Sequence, residues 1–252
     1  MPDSLTLTPV GVGAAYARPG EAQSAYLVAV DDTAICLDLG AGAFNRLQEL
    51  IAPELLASVV ISHLHPDHCI DLLSLRVYME WGPGRGRRIR VIGPPGLRQR
   101  LTAFSGDAGW EGLRFEELGA PEGALDIGPL RLTWAEVPHT KPTFALRVDH
   151  TSGSITYGAD CGPNDALVAL ASGTDVLVAE CAVGVGPSGD GAIHLSAADA
   201  GTIARRARAR SLLLTHCYPE HDRDAVLAAA ARAFDGPVAW AMQGQEVVVS
   251  TS

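Results

Sequence analysis

Three histidines and an aspartate fall within six residues, in "HLHPDH" at 63–68. They follow the apolar run "SVVIS", so the cluster leaves the end of a strand. Side chains alternate along extended chain, which turns His63 and His65 to the same side. Pro66 suits the first position of a helix, and Asp67 and His68 then fall in its first turn, facing the same space. Imidazole nitrogens and carboxylate oxygens are suitable zinc donors. A single histidine at a strand end is most often a satisfied polar residue. Three with an aspartate at this spacing point to a metal.

A second metal needs more ligands, and similar settings recur along the chain. His139 follows the strand "LTWAEVP", Asp160 follows "SITYGA", and His216 follows "SLLLT", which resembles the segment before His63. Two divalent ions about 3.5–4 Å apart can hold a hydroxide between them and stabilise both attacking and leaving oxygens. Water on zinc reaches a pKa of ~7, so a nucleophile is at hand near neutrality. The reaction class this chemistry implies is hydrolysis.

The elements that must position these residues are short. Strands are expected at 5–10, 26–30, 34–39, 59–62, 89–92, 130–136, 144–148, 154–157, 176–180, 211–215 and 246–250. Helices are expected at 43–51, 70–80, 97–104, 165–171, 196–209 and 223–234. Ser196 reads as an N-cap with Asp199 as its capping-box partner. Early strands follow one another without helices, which argues against a simple βαβ wheel. Two sheets with helices outside fit better. No linker or low-complexity tract divides the chain, so a single domain over 1–252 is expected. The stretch "WGPGRGRR" at 81–88 reads as an exposed loop with solvated charges.

Bulk properties narrow the function classes. A net charge of -10 disfavours general binding to nucleic acid or an anionic membrane, both of which an acidic surface repels. No secretory leader and no apolar run of bilayer length is visible. Five scattered cysteines fit reduced thiols better than a disulfide framework. The expectation is a cytoplasmic protein without membrane attachment.

The ordered set "HLHPDH", then His139, Asp160 and His216, resembles the metallo-β-lactamase superfamily, and the resemblance runs over essentially the whole chain. "GAAYARPGEAQSAYLV" and "LDLGAG" (37–42) are similar to the family's early hairpin and glycine turn, and "YGADCGPNDAL" to the segment around its bridging aspartate. The resemblance implies an α/β fold, a four-layer αββα sandwich, with the metals at one edge of the sheets. It gives one metal His63, His65 and His139, the other Asp67, His68 and His216, and makes Asp160 the bridge. The implied cofactors are two divalent ions, with Zn2+ favoured over Mn2+ or Fe. Asp67 then also orients the hydroxide.

Within the superfamily the chain resembles most the ribonuclease Z-like phosphodiesterases. In them a histidine like His194, in "HLSAADAG", lies beside the metals and assists the leaving oxygen or the phosphoryl charge. A glutamate like Glu180, in "VLVAEC", supports a catalytic histidine. True β-lactamases of the superfamily use a cysteine near Asp160; here Cys161 only follows it, so that activity is disfavoured. The tRNA-processing members insert a long Gly/Pro-rich arm between the ligand histidine and the bridging aspartate. Only twenty residues separate His139 from Asp160 here. A small phosphodiester is therefore expected rather than tRNA. A lactonase or thioesterase on the same site, or an iron-dependent redox protein, is the alternative; a homodimer is left open.

Other residues read more plainly. Cys69, Cys161, Cys181 and Cys217 each follow a site residue, so their side chains turn away from it and suit buried structural thiols. Arg76, Arg85, Arg87, Arg88 and Arg90 are most simply solvated. His221 reads as a surface histidine and His150 as a turn residue.

Overall fold

Alternation along the strands sorts the apolar side chains into three cores. The computed structural model describes residues 4–106, 109–140 and 142–249. Its first half runs β1 (Leu5–Gly11), β2 (Ala25–Val30), β3 (Thr33–Leu37), α1 (Ala43–Leu50), β4 (Ser58–Val60), α2 (Pro66–Cys69), α3 (Leu72–Trp81), β5 (Ile89–Gly93), α4 (Leu97–Ser105) and β6 (Leu113–Glu117). The second half runs β7 (Glu122–Ile127), β8 (Leu130–Glu136), β9 (Phe144–His150), β10 (Gly153–Tyr157), α5 (Asp165–Leu170), β11 (Val176–Glu180), α6 (Ala197–Ala207), β12 (Ser211–Thr215), α7 (Arg223–Ala233) and β13 (Val238–Trp240). A last strand, β14 (Val247–Val249), returns to the first sheet.

The strands form two seven-stranded mixed sheets, ordered β14-β1-β2-β3-β4-β5-β6 and β13-β12-β11-β10-β9-β8-β7. Leu37 and Val60 of the first sheet meet Leu132, Tyr157 and Leu213 of the second in the central core. Their strand neighbours Cys36 and Val59 point the other way, under Leu47, Leu75 and Leu101 of α1, α3 and α4. Leu212 and Leu214 likewise pack under Leu167, Ile203 and Val226 of α5, α6 and α7. The result is the expected αββα sandwich, because each sheet has two apolar faces to cover.

Strand direction decides where the site lies. β3 and β4 are parallel, as are β10, β11 and β12. β8 runs antiparallel to β9, which runs antiparallel to β10, so β8 shares the direction of β10. Residues that follow β4 of the first sheet and β8, β10 and β12 of the second come together, so the C-terminal ends of these strands open on one edge, the edge at which sheets of this kind take ligands.

The expected elements are present, with instructive differences. Helix 70–80 begins at Leu72, because Pro66–Cys69 forms its own short turn. Strand 34–39 stops at Leu37, because Asp38 takes a left-handed backbone with φ 58°. The strand expected at 246–250 is Val247–Val249; Ser250 lies outside the described residues. The sequence reading missed β6, β7 and β13, all edge strands. β7 shows why: its burial alternates exposed and half-buried along Glu122–Asp126, so it has little hydrophobic signal. Ser196 caps α6 as expected, and the Ser196–Asp199 capping box is complete. All five cysteines are free and buried. Among the described residues no helix is long and apolar enough to cross a membrane.

Candidate metal centre

The residues of the centre sit just past strands or on the short helix that follows one. β4 ends at Val60, and Ile61 and Ser62 lead into His63, which is fully buried. Pro66 opens α2 with His65 as the residue before it, so Asp67 and His68 are carried on the first helical turn. Gly40 permits this turn to lie close: a Cβ on Gly40 would stand 2.0 Å from the Asp67 carbonyl oxygen. His139 follows β8, Asp160 follows β10 and His216 follows β12. Asp38, Ala159 and His216 all have left-handed backbones, with φ 58°, 53° and 51°. Such conformations cost about 1–3 kcal/mol each and persist only where surroundings enforce them. Three of them around one cluster mark a site built against local preference.

The side chains converge into two groups that share one carboxylate. His63, His65, His139 and Asp160 offer ligand atoms all within 4.8 Å of one another, and so do Asp67, His68, Asp160 and His216. His139 Nε2 lies 3.2 Å from His65 Nδ1. Asp160 Oδ1 lies 3.3 Å from both His68 Nε2 and His216 Nδ1. His63 Nε2, His68 Nε2, Asp160 Oδ1 and His216 Nδ1 are buried without a hydrogen-bond partner. Buried polar atoms are rarely left so, because each costs about 1–3 kcal/mol of lost solvation. Four buried ligand-type atoms left without partners and turned toward common points are what a bound cation would satisfy.

The electrostatics agree. Burial holds His63 well below the usual imidazole value and also lowers His65, His139 and His216. These rings are neutral near pH 7, the form that ligates metal. Asp160 is held well below the usual carboxylate range: burial alone would raise it, but His216 and His68 outweigh that. Burial opposes charge on His68 too, yet the carboxylates of Asp160 and Asp38 raise it well above the usual value.

Behind the centre lies a network the sequence reading did not identify. Asp38 accepts from Ser62 N at 2.7 Å, Ser62 Oγ at 2.8 Å and Tyr157 Oη at 2.9 Å, and its Oδ2 lies 2.7 Å from His68 Nδ1. Tyr26 and Thr215 join their hydroxyls close by. The signal was a carboxylate at the end of the apolar run "AICLDLG". A fully buried aspartate needs several donors.

His194 and Glu180 form a pair outside both groups. His194 Nδ1 lies 2.7 Å from Glu180 Oε1, and its ring is 4.9 Å from that of His139 and 6.3 Å from that of His216. Glu180 is buried and also accepts from Cys161 N and Ala182 N, at 3.1 and 3.0 Å. Burial pushes Glu180 up to about 7. Burial opposes charge on His194, but its hydrogen bond to Glu180 raises it above the usual value.

The remaining residues singled out from sequence fall elsewhere. Arg90 is paired with Glu116 at 2.8 Å and Arg76 with Glu80 at 3.5 Å. Arg85, Arg87 and Arg88 line a cavity of about 260 Å³ with Glu80 and Glu111, away from the histidines. His150 closes β9 against Ser152 Oγ at 2.7 Å. His221 is half-buried rather than on the surface: its Nε2 lies 2.9 Å from Ala182 O, and its ring packs where a Gly184 side chain would be. Cys69, Cys161, Cys181 and Cys217 all pack into the two outer cores.

Comparison with known proteins gives the same picture. The family model "Beta-lactamase superfamily domain" matches residues 36–217. The Mycobacterium tuberculosis protein Rv1339 is 34% identical over 243 residues, 93% of this chain and 89% of its own. The crystal structure of the metallo-beta-lactamase fold protein YhfI from Bacillus subtilis superposes with a TM-score of 0.88 at 26% identity, covering 98% of this chain and all of YhfI. Ribonuclease Z from a Mycobacterium species is 29% identical over 242 residues, 85% of each chain.

Proposed function

Because the chain belongs to the beta-lactamase superfamily and carries a His/Asp cluster suited to metal, we propose that it is a phosphodiesterase acting on a small phosphodiester. The observation that carries this reading is the His194–Glu180 pair, whose imidazole stands beside His139 of one ligand group and His216 of the other. Ribonuclease Z among the relatives supports it. The β9–β10 hairpin fills the chain between His139 and Asp160, which supports a small substrate over tRNA.

In this reading two divalent ions, preferably zinc, would be held by His63, His65, His139 and Asp160 and by Asp67, His68, Asp160 and His216. Such ions supply Lewis acidity toward the phosphoryl oxygens and a nucleophile at neutral pH. The chain's own groups do the rest. Asp67 turns the attacking water toward phosphorus. His194, held through Nδ1 by Glu180, presents Nε2 to the ester oxygen that departs. As the new P–O bond forms and the old one breaks, the Nε2 proton passes to the leaving oxygen. The proton shed by the attacking water passes to solvent, and solvent returns a proton to Nε2 for the next turnover. A positioned acid of this kind is worth about 10²–10⁴-fold.

The test is His194→Ala, assayed with bis(p-nitrophenyl) phosphate beside a lactone and a thioester. The expected variant keeps its metal and fold and loses about 10²–10⁴-fold in phosphodiester turnover. A wild type that ignores phosphodiesters but cleaves the lactone or thioester overturns the reading. A variant that loses metal makes His194 a ligand instead.

A further inference from the structure

The phosphodiesterase reading leaves the organic part of the substrate open, and an aromatic pair beside the centre bears on it. The segment after His216 runs along the N-terminal loop: His216 N–H donates to Val12 O at 3.0 Å, and Cys217 pairs with Gly13. This pairing lays Tyr16 on Tyr218, with centroids 4.8 Å apart and planes 27° from parallel. Tyr218 is half-buried and Tyr16 is 54% exposed. The Tyr16 hydroxyl donates to the Glu220 carboxylate at 2.7 Å. The Arg18 guanidinium donates to the carbonyls of Pro219 and His221, at 3.1 and 3.2 Å. One face and the hydroxyl of Tyr16 are thus fixed, which leaves its other face as the surface open to solvent.

The strap between Glu180 and α6, which touches the Tyr218 segment, exposes apolar side chains as well. Val183, Val185 and Ile193 are 44%, 49% and 48% exposed, all on the strap between Glu180 and α6. The strap is tied to the centre where the Ile193 carbonyl meets His139 Nδ1 at 2.9 Å. It is tied to the Tyr218 segment where the Ala182 carbonyl meets His221 Nε2 at 2.9 Å. Exposed apolar residues scattered singly need no explanation. Here four lie on two segments that are tied to each other and, through His139 and His216, to the centre, which is the setting of an apolar ligand wall.

We propose that this rim is the subsite for a planar aromatic or heteroaromatic ring esterified to the phosphate, with Tyr16 as its stacking platform. The assignment rests on the phosphodiesterase reading for the phosphate half of the ligand. The rim stands outside both ligand groups, so it selects which ester binds and takes no part in breaking the P–O bond. Tyr16 is a rigid platform because Tyr218, Glu220 and the loop braced by Arg18 already hold it, and little entropy is lost when a ring stacks on it.

Calorimetric titration of the metal-loaded protein tests this with two matched pairs, methylphosphonate against phenylphosphonate and ribose 5-phosphate against a nucleoside 5′-monophosphate. The ring-bearing member of at least one pair is expected to bind about threefold to tenfold tighter. Tyr16→Ala should abolish that advantage and leave the ring-free ligands unchanged, while Tyr16→Phe should keep it. An advantage in both pairs makes any planar ring acceptable; one confined to the second pair makes the ring a nucleobase. Equal binding within both pairs in the wild type overturns the proposal. So does a uniform loss across all four ligands in Tyr16→Ala, which would make Tyr16 a buttress for the loop. A protein that shows the ring advantage but hydrolyses no phosphodiester overturns the proposed function and leaves the subsite standing.

Discussion

Asp38 Oδ2 lies 2.7 Å from His68 Nδ1, deep beneath the centre, and both side chains are fully buried. The contact fixes the His68 tautomer and aims its Nε2 toward Asp160, 3.3 Å away. Carboxylates behind ligand histidines orient the ring and raise its basicity, and losing one typically costs about 10–100-fold in metal affinity. Asp38→Asn should therefore weaken metal binding by that factor. Tyr157→Phe, which removes a different donor to the same carboxylate, should cost about 1 kcal/mol of stability and leave metal affinity nearly unchanged. Zinc titration of chelator-stripped protein and denaturant unfolding separate the two effects. Equal losses of metal affinity in both variants would refute a positioning role specific to Asp38.

Much of this was legible in the sequence, and what was missed has a physical pattern. The metal candidates could be read because His63, His139, Asp160 and His216 each follow an apolar strand run and the others stand within five residues of His63; runs such as "SLLLT" are buried on both faces. Asp38 sits in the same setting, but one carboxylate beside glycines also reads as a turn. Its partners Ser62 and Tyr157 are ordinary strand residues until the sheets face each other. The Tyr16–Tyr218 stack joins residues about two hundred positions apart, through a pairing of two irregular segments that carries no periodic signal. Local pattern finds what a strand delivers. It does not find what two loops make together.

The shared position of Asp160 carries a prediction about metal content. Elemental analysis of the protein should find about two divalent ions per chain, and Asp160→Ala should lower that number, because its carboxylate belongs to both groups. A single ion, with content unchanged in the variant, would end the dinuclear reading.

Metal uptake should also release protons. His68 is held well above the usual imidazole value by Asp160 and Asp38, so in the metal-free protein it is charged at neutral pH. A ligating imidazole must be neutral, so the ion displaces that proton, and apparent affinity falls as pH falls. Calorimetry in two buffers of different ionisation enthalpy measures the release. Heats independent of the buffer would contradict it.

The start of α6 fixes the strap that carries His194. Asp199 Oδ2 accepts from Ser196 N, Ser196 Oγ and Ser188 N, at 3.1, 2.6 and 2.9 Å. Ser188 Oγ in turn donates to the His194 carbonyl at 2.9 Å. Ser196→Ala should cost about 1 kcal/mol. Burial would raise Asp199, but its hydrogen bonds from Ser196 and Ser188 hold it below the usual value. A depressed folded value means stability that is present above the unfolded pKa of about 3.9 and lost as pH falls through the folded one. The stability gap between wild type and Asp199→Asn should accordingly be clear at neutral pH and close in acid. Urea unfolding of metal-free protein at both pH values reads it; a gap that persists in acid would show that the ionised carboxylate is not its source.

Glu180 offers the sharpest test of the acid role given to His194. Its hydrogen bond raises the imidazole against the cost of burial, so His194 keeps its proton to higher pH than a free histidine. If the protonated ring delivers a proton to the leaving oxygen, turnover should fall as pH rises through that raised value. Glu180→Gln removes the charge that raises it, so the alkaline limb should move to lower pH and the rate at neutral pH should drop. The amide cannot accept from both Cys161 N and Ala182 N as the carboxylate does, so some stability is lost as well. The pH profile distinguishes the two causes. A structural defect lowers turnover at every pH and leaves the limb in place, whereas loss of the acid's support moves the limb itself. A variant with normal metal content, reduced rate and an unmoved alkaline limb would leave Glu180 as scaffolding and remove the principal support for His194 as the acid.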